Sequence, residues 1–327
     1  MTHKRASLIS LANTPFYHCV SRCVRRSFLC GVDSYSGQSY EHRRGWVEER
    51  LLFLSSVFSI DICAYAVMSN HVHLVLHVDV DKASQWSDKQ VLALWHTLYK
   101  GTLLTQKFMR DEQLSQGELI TLYETIARYR SRLHDISWFL RNLNEYIARK
   151  ANKEDGCTGR FWEGRFKSQA LLDESAVLAC MAYVDLNPIR AKMATTLEKS
   201  DHTSIAKRVY GLKHKKEQPQ QLIPFVGNPR QDMPKGIPFA LKDYCELVDI
   251  TGRIIRHDKA GHIDHQQQPI LQRLGLSDEQ WLTLTTEFEK HFCYAVGAEM
   301  MMRQFKQHTG HQRIRGMGKA KILLRCA

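Results

Sequence analysis

The chain has 327 residues, enough for about two domains, and its 43% hydrophobic and 24% charged content is that of a soluble globular protein. No apolar run reaches the ~18 residues that a membrane span needs, and nine cysteines without a CxxC pair argue against a disulfide framework and for a reducing cytoplasm. Forty-six Lys and Arg against 34 Asp and Glu give a net charge of +12, which favours partners with a phosphate backbone, because such contacts release condensed counterions.

The excess charge is uneven: from Lys192 onward 22 basic residues face 14 acidic ones, and Arg303 to Arg325 contains seven bases and no acid. The basic start, Met1 to Arg5, lacks the apolar core and small-residue cleavage site of a signal peptide. Phe16 to Val24 reads as a first strand, apolar and β-prone, opening after Pro15, with Arg22, Arg25 and Arg26 clustered at its end. His18, Cys19, Cys23 and Cys30 match no common zinc spacing. Tyr40 to Ile60 has the apolar stripe of a helix, through Trp46, Leu51, Leu54, Val57 and Phe58.

Two β-prone runs follow, Ala64 to Val67 and His71 to Val78, separated by the turn residues Met68-Ser69-Asn70. A strand alternates faces, so His71, His73, Val75 and His77 share one face, with His71 and His73 about 7 Å apart. Two readings fit: half of a metal site, or a wet strand face that carries histidines.

From Lys82 to Lys150 the pattern is helical and polar, with one helix around Val91 to Leu98, a second over Leu119 to Arg132 and a third over Ile136 to Arg149. A block of this size between a strand and its partner reads as an insertion. Arg160-Phe161-Trp162 and Arg165-Phe166-Lys167 interleave cations with rings, which suits single-stranded nucleic acid and equally a core strand edged by charge. Lys167 to Leu172 reads as a fourth strand. Asp173 caps a helix from Glu174 to about Asp185, with acids at its N-terminus. Tyr183 and Asn187, four apart, share a face if that helix runs on. Asn187 can instead cap a short helix through Met193 that opens on Pro188. Proline, glutamine and charge dominate from Lys199 to Gly236. Tyr244 to Ile255 is partly structured and Gly261 to Pro269 is polar loop. Ser277-Asp278-Glu279-Gln280 is a capping box that opens a helix with Trp281, Leu284, Phe288, Phe292 and Ala295 as its stripe. No P-loop or dinucleotide-binding glycine pattern is present.

Four stretches together carry a resemblance: Tyr17-His18-Cys19-Val20-Ser21-Arg22, Met68 to Val75, Gly159 to Ser168, and Tyr183-Val184-Asp185-Leu186-Asn187-Pro188-Ile189-Arg190-Ala191. They resemble the HUH single-tyrosine transposases, most closely the REP-associated tyrosine transposases of bacterial genomes. The resemblance covers roughly residues 10 to 195, less the helical block. It implies an α+β fold in which a ferredoxin-like antiparallel sheet is backed by helices, here with a helical insertion and a mainly helical C-terminal extension. The helical block and the tail beyond about Lys199 depart from the shorter members of the family. With them the chain reads as a catalytic domain over 1–198 with its insertion at about 82–150, a linker or irregular segment over 199–236, and a basic accessory region over 237–327. That last region reads as a nucleic-acid-binding module, or equally its capped helix as a packing or dimerisation element.

By the same resemblance His71, His73 and Asn187 would hold a divalent metal ion, Mg²⁺ or Mn²⁺, and Tyr183 would be the nucleophile. Arg22, Arg25, Arg165, Lys167 and Arg190 would contact the DNA backbone. The implied activity is cleavage and rejoining of single-stranded or hairpin DNA through a 5′-phosphotyrosine, with no membrane or nucleotide cofactor, by a monomer or homodimer at the bacterial nucleoid. The rival readings are another HUH nickase, a replication initiator or relaxase, and a domesticated, non-catalytic binder of structured DNA or RNA.

Overall fold

The computed structural model describes residues 8–24, 29–33, 37–227, 235–256 and 269–324. The chain begins with β1 (Phe16–Arg22), α1 (His42–Val57), β2 (Ile60–Val67) and β3 (His71–Val78). Five helices follow: α2 (Val80–Gln85), α3 (Asp88–His96), α4 (Leu103–Met109), α5 (Gln116–Arg132) and α6 (Ile136–Glu154). Next come β4 (Lys167–Leu171), α7 (Glu174–Asp185), α8 (Asn187–Arg190), α9 (Ser204–Lys213), α10 (Leu241–Ile255) and α11 (Pro269–Leu274). The described chain ends with α12 (Asp278–His291), β5 (Ala295–Val296), α13 (Glu299–Thr309) and α14 (Met317–Leu323). The fold is α+β, and no described helix is long and apolar enough to cross a membrane.

The chain divides into two compact units, one of residues 1–45, 62–77 and 160–327 and the other of 46–61 and 78–159. The first holds the sheet, in the order β2-β3-β1-β4-β5. β1 pairs antiparallel with both β3 and β4 and so lies between the two strands that flank the helical block, which are not the partners of each other that the sequence pattern suggests. The two-residue β5 joins β4 in parallel, so the sheet is mixed. Close approach fixes that edge. A Cβ at Gly297 would sit 2.8 Å from Leu172 Cβ and 2.9 Å from Asp173 Oδ2, so only glycine lets the strand lie there.

Helix α7 is the centre of this unit. Every residue from Ala176 to Asp185 is buried, so its sequence is apolar all round rather than amphipathic. Asp173 caps it as expected, accepting from Ala176 N–H, and also accepts from Ala298 N–H beyond β5. At the other end the Asp185 carboxylate, with no exposed surface, accepts from Ser204 Oγ at 2.5 Å, Ile205 N at 3.1 Å and Tyr244 Oη at 2.6 Å. Burial raises its pKa, and the Arg208 cation opposes that shift. Arg208, itself buried, donates to the carbonyls of Cys63 and Ile223.

The proline- and glutamine-rich stretch contains α9, and Ile223 N–H donates to Ile62 O on the sheet. Residues 237–327 lie in the same unit as the sheet. The polar loop expected over Gly261 to Pro269 falls almost wholly outside the described residues.

The second unit is helical. Ser87, Thr102 and Ser115 form capping boxes at the starts of α3, α4 and α5, and Asp135 caps α6. Its core stacks Tyr129 on Trp95 at 4.2 Å and sets Phe58 edge-on to Phe139 at 5.4 Å. The short helices α2 and α4 join the three that the periodicity marks.

Removing the Tyr244 hydroxyl leaves a buried carboxylate oxygen short of a donor. Tyr244→Phe should therefore destabilise the protein by about 1–3 kcal/mol in urea unfolding. A loss well under ~0.5 kcal/mol would mean that Asp185 does not depend on that bond.

Candidate active site

The register of β1 against β3 assembles the site. Val20 lies opposite His73 and Arg22 opposite His71, so His18, Val20 and Arg22 share the sheet face that carries the histidines. β4 adds Lys167 and Gln169 to that face, opposite Val20 and His18. His18 and His73 are diagonal neighbours. Their rings lie nearly parallel, 7° apart in plane with centroids at 5.2 Å, and His18 Nε2 is 3.0 Å from His73 Nδ1. On its far side His18 Nδ1 lies 3.3 Å from Gln169 Oε1. A proton on Nδ1, donated to that oxygen, leaves the lone pair on Nε2, the arrangement in which metal-ligating histidines are held.

The third member of the cluster comes from α12. Glu289 Oε1 lies 3.8 Å from His73 Nδ1, and ligand atoms of His18, His73 and Glu289 all fall within 4.8 Å of one another. Burial holds the imidazoles below the ordinary histidine range. His73 is lowered well below it, with His71 and His18 adding to the effect; His18 is lowered against the opposing pull of Glu289. His71 is pushed down to about 4 by burial, with Arg22, Arg190 and His18 contributing. At neutral pH these rings are uncharged and their lone pairs are available to a cation.

The donor set fits a divalent metal. The 3.0 Å between His18 Nε2 and His73 Nδ1 is a hydrogen-bond distance, and it is also the separation that a cation with bonds of ~2.1 Å at right angles imposes on two of its ligand atoms. Two imidazoles and one carboxylate leave coordination positions open to a substrate oxygen.

Tyr183 projects from α7 onto this pair. Its ring is edge-on to His73 at 5.9 Å and to His18 at 6.2 Å. Phe288 lies 5.6 Å away, and the Arg190 guanidinium stacks on the ring at 3.8 Å. Arg190 is held there by donating to the carbonyls of Thr286 and Tyr183 itself. Burial raises the phenol pKa; Arg190 opposes the rise and Glu289 adds to it. Beside the cluster opens a cleft of about 400 Å³ whose lining includes His18, Arg22, Arg165, Lys167, Glu289 and Arg315. Arg315 is anchored by the carbonyls of Glu289 and Lys290.

Of the residues expected at the site, the fold brings His71, His73 and Tyr183 to one place, and Arg22, Arg165 and Lys167 line the cleft. Arg190 lies against the tyrosine rather than in the cleft lining. Arg25 falls outside the described residues. His71 stands at the rim of the cluster, its ring 4.7 Å from that of His73 and its Nδ1 2.5 Å from Asn70 Oδ1. Asn187 is buried one turn after Tyr183. It does not cap α8: Leu186 takes the cap position, Asn187 and Pro188 open the helix, and no side-chain cap bond forms.

His18 and Glu289 complete the cluster without having been singled out as ligands. His18 could have been found by pairing the first strand against the histidine strand. Glu289 lies eight residues after Trp281 and four after Thr285, both buried, which puts it at the edge of the packed face of an amphipathic helix with its side chain 40% exposed.

No protein-family profile matches the chain, and no curated protein matches it. Among solved structures, "Structure of the REP associates tyrosine transposase bound to a REP hairpin" aligns over 72% of this chain and 97% of its own, with 12% sequence identity and a TM-score of 0.38. At that level of similarity the chemistry of the site rests on its own residues.

Proposed function

We propose that this protein is a metal-dependent single-strand DNA endonuclease and transposase of the HUH single-tyrosine type, acting on hairpin-containing DNA through a 5′-phosphotyrosine. One observation carries the reading: a tyrosine on a buried helix lies against two neutral imidazoles set at metal-ligand spacing, next to a cationic cleft. A wet strand face would leave Tyr183 and Glu289 unexplained.

His18, His73 and Glu289 are the residues that would hold the cation, with His71 and Asn187 as the further ligands that the family resemblance implies. A divalent ion bound there supplies Lewis acidity to a scissile phosphate. The remaining work belongs to the chain. Arg22, Arg165 and Lys167 receive backbone phosphates and set the register of the strand without reading its bases. The Tyr183 phenolic oxygen loses its proton and attacks phosphorus; the bond to the DNA 3′-oxygen breaks, and that oxygen leaves as a hydroxyl, taking up one proton in place of the one the phenol released. The product is a phosphodiester between Tyr183 and the 5′ end, whose retained bond energy lets a second 3′-hydroxyl reverse the step and join new ends. Because burial favours the neutral phenol, the stacked Arg190 guanidinium acts as the charge that offsets it and stabilises the developing phenolate.

Two outcomes are expected. Incubated with a labelled hairpin oligonucleotide and Mn²⁺, the wild-type protein should form an adduct that survives a denaturing gel, and Tyr183→Phe should form none. An adduct persisting in Tyr183→Phe removes the tyrosine from its role, and no adduct on any hairpin with binding retained identifies a non-catalytic binder. In a separate titration, Mn²⁺ binding followed by electron paramagnetic resonance should weaken roughly 10-fold or more in His73→Ala and in Glu289→Gln. If Asn187→Ala weakens binding while Glu289→Gln does not, the ligand set is the one containing Asn187.

A further inference from the structure

The helical unit has a second charged cleft, of about 520 Å³, that the chemistry at Tyr183 does not use. Helix α6 supplies most of it. Asn142, Tyr146, Lys150 and Lys153 follow one another at helical spacing, and Arg141, Glu145 and Arg149 run beside them. Arg50 from α1 and Tyr99 after α3 close the other side. Five cations therefore meet one carboxylate. Glu145 pairs with Arg141 at 3.5 Å and with Arg149, and among the described residues Arg50, Lys150 and Lys153 have no carboxylate partner.

Rings are interleaved with these charges. The Arg50 guanidinium lies 4.7 Å from the centre of the Tyr146 ring and 5.0 Å from that of Phe53; the Lys150 ammonium lies 4.1 Å from Trp46. Tyr146 is 40% exposed, with Arg50 over its ring and the Lys150 ammonium 5.9 Å from its centre, so part of the ring remains open to a ligand between the two cations. The cleft is also preorganised. The nearly buried Asn142 accepts from the Tyr99 hydroxyl at 3.0 Å, donates to Trp138 O at 2.8 Å, and through its own carbonyl receives Arg50 Nε at 3.4 Å. Tyr99 in turn stacks on Trp95, 4.7 Å away. Keeping the partly buried Arg50 without an anion costs solvation free energy that a bound phosphate would offset.

We infer that this cleft is a second nucleic-acid site, which takes a single-stranded segment with its phosphates on Arg50, Lys150 and Lys153 and a base against Tyr146. Cations alternating with an open ring suit a strand whose bases are unpaired. A concave cleft does not suit a membrane surface, and an acidic peptide would leave the tyrosine face unused. The inference is independent of the proposed chemistry at Tyr183, since none of these residues belongs to that site.

The test measures fluorescence anisotropy of the full-length protein, in chelator, against oligo(dT), oligo(U) and a duplex of equal length over a range of salt. Each phosphate contact with a single strand contributes about 0.7 to the log–log salt slope. The triple variant Arg50→Gln, Lys150→Gln, Lys153→Gln should lower the slope by about 2 and the single-strand affinity at least tenfold. Comparing oligo(dT) with oligo(U) distinguishes DNA from RNA as the occupant. Tyr146→Leu, which keeps an apolar side chain but removes the ring, should weaken single-strand binding roughly 5- to 50-fold and duplex binding less than twofold. An unchanged salt slope in the triple variant overturns the site. Equal losses on duplex and single strand make the cleft a general polyanion surface and overturn the single-strand assignment. Thermal melts monitor folding, and if the triple variant does not fold, the exposed Lys153→Gln alone should lower the slope by about 0.7.

Discussion

The Asp185 carboxylate sits at the end of a helix with no exposed surface, and the rest of the sheet-bearing unit is arranged to satisfy it. A buried carboxylate without partners costs several kcal/mol, so three donors from two other helices converge on it, with the buried Arg208 as a nearby opposite charge. That requirement anchors α9 and α10 against α7. Tyr183 is two residues earlier on the same helix, about 200° around the axis, and so faces the opposite way. Holding one side of α7 at Asp185 fixes where the other side presents the phenol.

The sheet makes the complementary contribution. An antiparallel pair with Val20 opposite His73 puts the residue two before Val20 diagonally next to that histidine. A slip of one residue would send His18 to the other face, where Tyr17, Cys19 and Ser21 lie. The imidazole pair is therefore a property of register. Its electrostatics follow from the same burial: the rings are held below the ordinary histidine range, and the stacked arginine keeps positive charge at the tyrosine.

Much of this was legible in the sequence, for identifiable reasons. Helix α7 matches the expected Glu174–Asp185 span because Asp173 caps it and no competing signal crosses it. The turn at Met68-Ser69-Asn70 is local chemistry, as is the capping box at Ser277. What was not legible is long-range. Leu222 to Phe225 pack by backbone pairing with distant strands and loops, which proline and glutamine composition does not reveal. β5 is two residues long and exists because Gly297 permits close approach to Leu172. Glu289 joins His18 and His73 across 216 residues, and no periodicity within α12 names the strand it will meet.

Helix α12 also explains why a C-terminal segment could be taken for a separate accessory region. Its capping box and the apolar positions Trp281, Leu284 and Phe288 are those of a free amphipathic helix, while Phe292 and Ala295 of the expected stripe fall beyond its end, Ala295 in β5. The same stripe is equally suited to covering α7, whose all-apolar surface needs a second layer beyond the sheet. Phe288 and Trp281 meet that need by burial, and Glu289 uses the resulting position to reach the histidines. The Glu289 carboxylate keeps 40% of its side-chain surface exposed, so it sits at the edge of the packed face and keeps contact with water. The packing of Phe288 therefore sets where Glu289 meets His73, which makes packing and site geometry at this helix two consequences of one placement.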